Sequence, residues 1–220
     1  MLNMDLNTLE TMPAPLPCRV VKLGGSLLDL PHLAARLQSW LAGEPDKLSL
    51  LLVGGGEFVE AMRQLDGVHA FDAAWCHWKC LELMAFTSSL VEPLLPGWPV
   101  IRTQAELASA LKAASSVRRA LVQTAAFYNR ECSEQEVAVG FPESWGTTSD
   151  SLAALLAVRV RAEELVLLKS AVPIESANEH RAGDEAETLR QWSLQGYVDD
   201  HFYQVALLIP CVRVVNLRGS

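Results

Sequence analysis

The sequence predicts an α/β fold: a three-layer αβα sandwich with a mostly parallel central sheet, helices covering both faces. Three observations carry this reading. Short apolar runs alternate with stretches of helical periodicity along the whole chain, the pattern of βα units. The apolar runs, such as "LSLLLV" and "ELVLLK", do not alternate with polar residues, as expected for strands buried on both faces. Two of them end in adjacent glycines, "VVKLGGS" and "LLLVGGG", where a strand must turn sharply into the next element.

The elements run in order along the chain. "CRVVKLGG" reads as a strand, with a helix from about Pro31 to Leu41. "LSLLLVGGG" is the second strand, followed by a helix from about Glu57 to Leu65. "AFDAAWCHWKCLELMAFTSSLV" is a longer helix, on which Ala74, Trp78, Leu81, Met84 and Ala85 can share an apolar face. "PVIRT" and "RRALVQT" are short strands. "TTSDSLAALLAVRVRA" opens with hydroxyl residues suited to a helix start and continues with apolar periodicity. "ELVLLKS" is another buried strand, "AETLRQWSLQ" and "DDHFYQVALLI" are helices, and "VRVVNL" closes as a strand.

The chain has 220 residues, 50% hydrophobic and 20% charged, which suits one domain with a substantial core. Residues 1–17 read as a disordered lead-in and 18–220 as a single domain. The net charge of -8 argues against nucleic acid as a partner, which would require a basic face. No apolar run reaches the roughly 18 to 20 residues of a membrane span, and the acidic, proline-containing start lacks the features of a secretion signal. Five scattered cysteines, Cys18, Cys76, Cys80, Cys132 and Cys211, fit reduced thiols and a cytoplasmic protein.

In an open parallel sheet, ligands bind beyond the carboxyl ends of the strands, where both glycine turns lie. Glycine lets the backbone turn tightly and lets an anion approach the amides. A helix starting after such a turn adds the field of its free N–H groups. Neither common phosphate signature is present: there is no G-x-x-x-x-G-K-[ST], and Val59 stands where a dinucleotide fingerprint would need its third glycine. Taken alone, the Gly54-Gly55-Gly56 turn is equally a plain structural turn, the Lys22-Leu23-Gly24-Gly25-Ser26 turn less so. Lys22, near the end of a buried strand, needs water, a carboxylate or a bound phosphate for its ammonium.

Taken together, "VVKLGGSLL", "VGGG" before a helix, and "GTTSDSLAALLAVRVRAEELVLLKS", in that order and spacing, resemble the amino acid kinase family, which includes carbamate, acetylglutamate, aspartate, uridylate and isopentenyl phosphate kinases. The resemblance covers Arg19 to about Ser170. It implies the family's αβα fold, ATP with Mg2+, a small-molecule phosphate acceptor, no metal-ligand residues of the protein's own, and a homo-oligomer (a dimer or larger). The "WGTTSDSLAALLA" segment and compact length are similar to a subgroup tied to methanofuran and tetrahydromethanopterin one-carbon metabolism. Its type enzyme extends an aminomethylfuran methyl phosphate to the diphosphate.

Residue by residue, the resemblance implies that Lys22 is a cation beside the transferred phosphoryl group, the alternative being a structural ion pair. Gly24, Gly25 and Ser26 match the turn that holds nucleotide phosphates. Gly54, Gly55 and Gly56 match the turn that faces the acceptor. Asp150 matches the aspartate that orients active-site lysines, although an aspartate in a helix's first turn also stabilises that helix unaided. Thr148 and Ser149 either cap that helix or touch the acceptor. Lys169 stands where uridylate-type kinases place a lysine, facing the nucleotide phosphates. Many relatives continue there with an aspartate-glycine turn; "LLKSAVPIESANEH" departs from that. This departure keeps open a non-catalytic nucleotide- or oxyanion-binding protein on the same fold, as in the family's molybdenum-storage branch. "ESANEHRAGDEAE" reads as a mobile nucleotide flap or a solvated loop.

Other candidates are weaker. Cys76 and Cys80 lie one helical turn apart with His77 off their face, but no second ligand pair completes a zinc site. Buried thiols are the plainer reading. His69, His180 and His201 lack a serine elbow to partner. Trp75, Trp78 and Phe86 are core, acceptor lining or subunit interface, with core or interface favoured for Trp78.

Overall fold

The computed structural model describes residues 17–113, 117–130, 142–171 and 185–219. Six strands form one sheet in the order β3-β4-β2-β1-β5-β6, and every neighbouring pair is parallel. They are β1 (Cys18–Leu23), β2 (Leu48–Val53), β3 (Val100–Ile101), β4 (Arg119–Val122), β5 (Glu164–Lys169) and β6 (Val212–Asn216). Seven α-helices are present among the described residues: α1 (Leu33–Ala42), α2 (Gly56–His69), α3 (Ala73–Val91), α4 (Gln104–Lys112), α5 (Ser149–Arg159), α6 (Glu185–Leu194) and α7 (Phe202–Ala206).

The unalternating apolar strands are explained by burial on both faces. Every residue of β1 and β2 is buried. Their side chains divide by parity between two cores. Val20, Leu50, Leu52, Leu165 and Leu167 pack with α3, α4, α5 and α7 on one face. Val21, Leu23, Leu51, Val53, Val166 and Leu168 pack with Leu27, Leu30 and α1 on the other. Three layers result. The same parity places Lys22 and Lys169 on the α5 face, two residues beyond Val20 and Leu167.

Two helix boundaries differ in detail. The first glycine turn runs into a single 3-10 turn, Gly25–Leu27. The next helix, α1, starts at Leu33 rather than Pro31, after His32 in a left-handed conformation at φ 58°. The second helix starts at the glycine turn itself and runs four residues beyond the expected Leu65, to His69.

Strand order decides where a site can form. The chain leaves β1 for β2 on one side, and returns to β5 on the other. The crevice above the carboxyl ends of β2, β1 and β5 is therefore the switch point at which open α/β sheets bind ligands. No described helix is long and apolar enough to cross a membrane.

Candidate functional site

The two glycine turns touch. The amide of Gly24 donates to Leu168 O at 2.8 Å, and that of Gly54 to Leu23 O at 2.9 Å, so each turn extends the sheet ladder by one rung. A Cβ on Gly25 would lie 2.0 Å from the nitrogen of Gly56. Gly56 itself has φ +55°, a backbone region that side-chain-bearing residues seldom occupy. Backbone meets backbone here only because both residues lack side chains.

Lys22 and Lys169 converge on Asp150. Lys22 Nζ lies 2.8 Å from Asp150 Oδ1, and Lys169 Nζ 2.9 Å from Oδ2. All three come from the same side of the sheet: Lys22 is the penultimate residue of β1, Lys169 the last of β5, and Asp150 occupies the first turn of α5. Burial alone would raise the carboxyl pKa of Asp150, but the two ammonium charges outweigh it and hold the group below its ordinary value. Burial lowers the pKa of Lys169, with a further push from Lys22, despite the opposing pull of Asp150. Two cations share the one carboxylate they touch, with Asp199 pulling on Lys169 from farther off, so within the contact cluster positive charge is in excess. A buried excess of charge is stabilised by an anion.

A cavity of about 250 Å³ opens beside the cluster. Lys22, Gly25, Gly55, Gly56, Thr148, Ser149 and Asp150 line it, so most of the predicted residues are brought to one wall. Gly55 and Gly56 open α2 there, adding the positive end of that helix. Gly24, Ser26 and Lys169 lie outside this lining, toward β5 and β6. Ser26 Oγ is 3.1 Å from Ser170 Oγ. Lys169 also donates to the carbonyl of Tyr197, and its ammonium sits 4.4 Å above the Tyr197 ring. Gly54 lies beneath the cavity rather than on its wall. Its carbonyl accepts from Thr87 Oγ1, and a Cβ there would meet Ser149 Oγ at 3.0 Å and the Lys22 stem at 3.3 Å.

Thr148 is the N-cap of α5, and its hydroxyl donates to Asp199 Oδ2 at 2.6 Å. Asp199 also accepts from the amides of Thr148 and Ser151 on α5 and of His201 and Phe202 at α7. One carboxylate thus joins two helix starts. Nothing in "GYVDDHF" marks Asp199 over Asp200 for this task. Tyr197 was equally unmarked.

Arg63 was missed as well. It lines the cavity with its guanidinium 4.5 Å over the Trp145 ring, and Trp145 Nε1 donates to Asp66 Oδ2 at 2.7 Å. The stack fixes the plane of an arginine that faces the same space as Lys22.

The other candidates settle into the wall and core. Trp78 is buried, stacked on Tyr128 with centroids 5.4 Å apart. His77 is buried, with Nε2 3.1 Å from Tyr128 Oη. Cys76 is buried, and burial pushes the Cys80 thiol up to about 11. Trp75 and Phe86 are exposed. His180, Cys132 and residues 175–184 of the acidic segment lie outside the described residues; its last three, Glu185 to Glu187, open α6 rather than continuing a loop.

No family model matches the chain, and no curated protein matches it by sequence. Solved structures do match. Uridylate kinase from Archaeoglobus fulgidus aligns at TM-score 0.58 and 16% identity, over 87% of this chain and 85% of that one. UMP kinase from Bacillus anthracis aligns at 0.60 and 13%, over 92% and 88%. Aspartate kinase from Synechocystis aligns at 0.55 and 15%, over 89% of this chain but 38% of its own. The chain therefore has the fold of the amino acid kinases, the fold its glycine turns and lysines implied.

Proposed function

We propose that this chain is an ATP-dependent phosphotransferase that phosphorylates a small anionic metabolite. The observation that carries the reading is the Lys22–Asp150–Lys169 cluster, with its surplus positive charge, at the point where the two glycine turns touch. Phosphoryl transfer spreads negative charge over the moving group's oxygens, and fixed cations stabilise that charge. Two turns in contact hold donor and acceptor close enough for in-line displacement. In this reading Gly24, Gly25, Ser26 and Lys169 face the nucleotide, and Lys22 the group in flight. Gly55, Gly56, Ser149 and Arg63 face the acceptor, with Thr148 holding the helix start.

Asp150 has both oxygens committed to lysines, and no described group of His, Cys, Asp or Glu side chains is placed to hold a metal. Magnesium in this reading enters with the nucleotide phosphates, supplying further charge neutralisation. The acceptor is a phosphate monoester extended to a diphosphate, of the aminomethylfuran methyl phosphate type that the resemblance suggests. Its ionised oxygen needs no general base. A homo-oligomer belongs to this reading.

Incubation with ATP, magnesium and a panel of phosphate monoesters tests it. A diphosphate product is expected. Nucleotide or oxyanion binding with no turnover on any acceptor would instead assign the chain to the non-catalytic binders.

A further inference from the structure

The segment "QWSLQGY" ends α6 and delivers Tyr197 to the lysine cluster. Gly196 has φ +67°, the left-handed residue that commonly follows a helix. Its amide donates to Ser193 O at 2.9 Å, and the amide of Tyr197 donates to Trp192 O at 2.9 Å. This pair of bonds closes the helix end and fixes the backbone of Tyr197. The apolar contact that accompanies such an ending is made as well: the Trp192 and Tyr197 rings meet edge-on, centroids 6.0 Å apart. Trp192 is buried, so Tyr197 is anchored to the core.

From this anchor Tyr197 holds the end of β5. Its carbonyl accepts from Lys169 Nζ. Its ring lies 4.4 Å from the same ammonium, centroid to nitrogen. Its hydroxyl donates to Ala171 O at 2.7 Å and so ties down the chain just beyond Lys169. We propose that Tyr197 is the positioning residue of Lys169: its ring and carbonyl keep that side chain a fixed cation at the strand end. That Lys169 then meets nucleotide phosphates rests on the phosphotransfer reading; the hold of Tyr197 on Lys169 does not.

Lys169 needs that support. Its side chain is only 15% exposed. Burial favours the neutral amine, and Lys22 of β1 pushes the same way. Against them stand Asp150 of α5 at 2.9 Å and Asp199, farther off in the loop before α7. Asp150 is shared with Lys22, so its pull is divided. The ring of Tyr197 adds the negative face of its π system, an attraction that strengthens where water is excluded. Its phenol, pushed up by burial and by Asp150, stays neutral while Lys169 titrates. An ammonium has three donors. Asp150 and the Tyr197 carbonyl take two of them, and the third has no partner among the described residues. That donor is the one left for an anionic ligand.

The test reads Lys169 directly, by NMR of the full chain with carbon-13 at lysine Cε. The chain has five lysines, and K169R identifies the Lys169 signal by its loss. That signal is expected to titrate alike in wild type and in Y197F, which keeps the ring and the carbonyl. Y197L keeps apolar bulk without the π face. There the titration should move to lower pH, the ratio of ammonium to amine at fixed pH falling about 5- to 30-fold. Y197M, unbranched and adaptable, should give the same fall, so the result does not hang on the packing of one variant. A tyrosine that only filled space would leave the titration unmoved in both. One that only kept water out would let it rise. Either result overturns the proposal. The alkaline limb of kcat/KM should follow the Lys169 signal downward in Y197L and stay in place in Y197F. A signal that moves while the limb stays put would remove Lys169 from phosphoryl transfer and leave the hold of Tyr197 on it established.

Discussion

Replacing Gly25 by alanine puts a methyl carbon where the second glycine turn already is. That carbon would lie 2.0 Å from Gly56 N and 2.3 Å from Gly56 Cα, against an ordinary contact of 3.4 Å or more. Both opposing atoms are backbone, so no rotamer change relieves the clash, and the turns must part by roughly 1 Å or more. Such a displacement at a reacting centre costs about 100-fold in rate, or about 2.7 kcal/mol of barrier. The accompanying overpacking costs about 1–3 kcal/mol, which a domain with roughly 5–15 kcal/mol of stability survives. The assay is the initial rate of ATP-dependent phosphorylation, beside a thermal melt. G43A serves as control, because a Cβ at Gly43 would meet nothing closer than Trp40 O at 3.5 Å, far from the cavity. A G25A enzyme as fast as wild type, with superimposable turns, would refute the argument that the two loops must touch.

Lys22→Ala should lower turnover by at least about 100-fold, since Asp150 stays paired with Lys169 while the charge beside the cavity is lost; steady-state kcat measures it. Lys169 titrates below the ordinary lysine value of 10.5, burial first among the causes. It is charged below that shifted pKa and neutral above it. The kcat/KM profile of the free enzyme should therefore fall on the alkaline side before pH 10.5, and K169R, which keeps its charge, should move the fall upward. Asp199→Ala removes the shared cap of α5 and α7, at roughly 0.5–2 kcal/mol for each helix start, which urea denaturation would register as a lower midpoint with unchanged slope.

Much of the fold was legible because its signals are local. Val20, Val21 and Leu50–Val53 announce a strand buried on both faces through unbroken apolarity. Thr148, Ser149 and Asp150 announce a helix start through residue types that favour a first turn, and Thr148 caps it by accepting from the Asp150 amide. The 3-10 turn after Gly25 and the late start of α1 at Leu33 were not legible. His32, left-handed at φ 58° just before α1, carries no residue type that marks such a turn. Arg63, Tyr197 and Asp199 were also hidden. Arg63 is made relevant by Trp145, and Asp199 by Thr148 and Ser151, all far off in the chain.

By itself, the amino-acid order determined the βα alternation, the two glycine turns at strand ends and the lysines near the ends of β1 and β5, because periodicity and backbone freedom act over a few residues. Only the folded chain decided that Gly25 and Gly56 meet, that one carboxylate bridges two lysines, and that Asp199 ties two helices together. Those facts depend on the strand order β2-β1-β5 and on side-chain parity across the sheet. Both are set when distant segments bury their apolar faces against one another, a choice that no short stretch of residues contains.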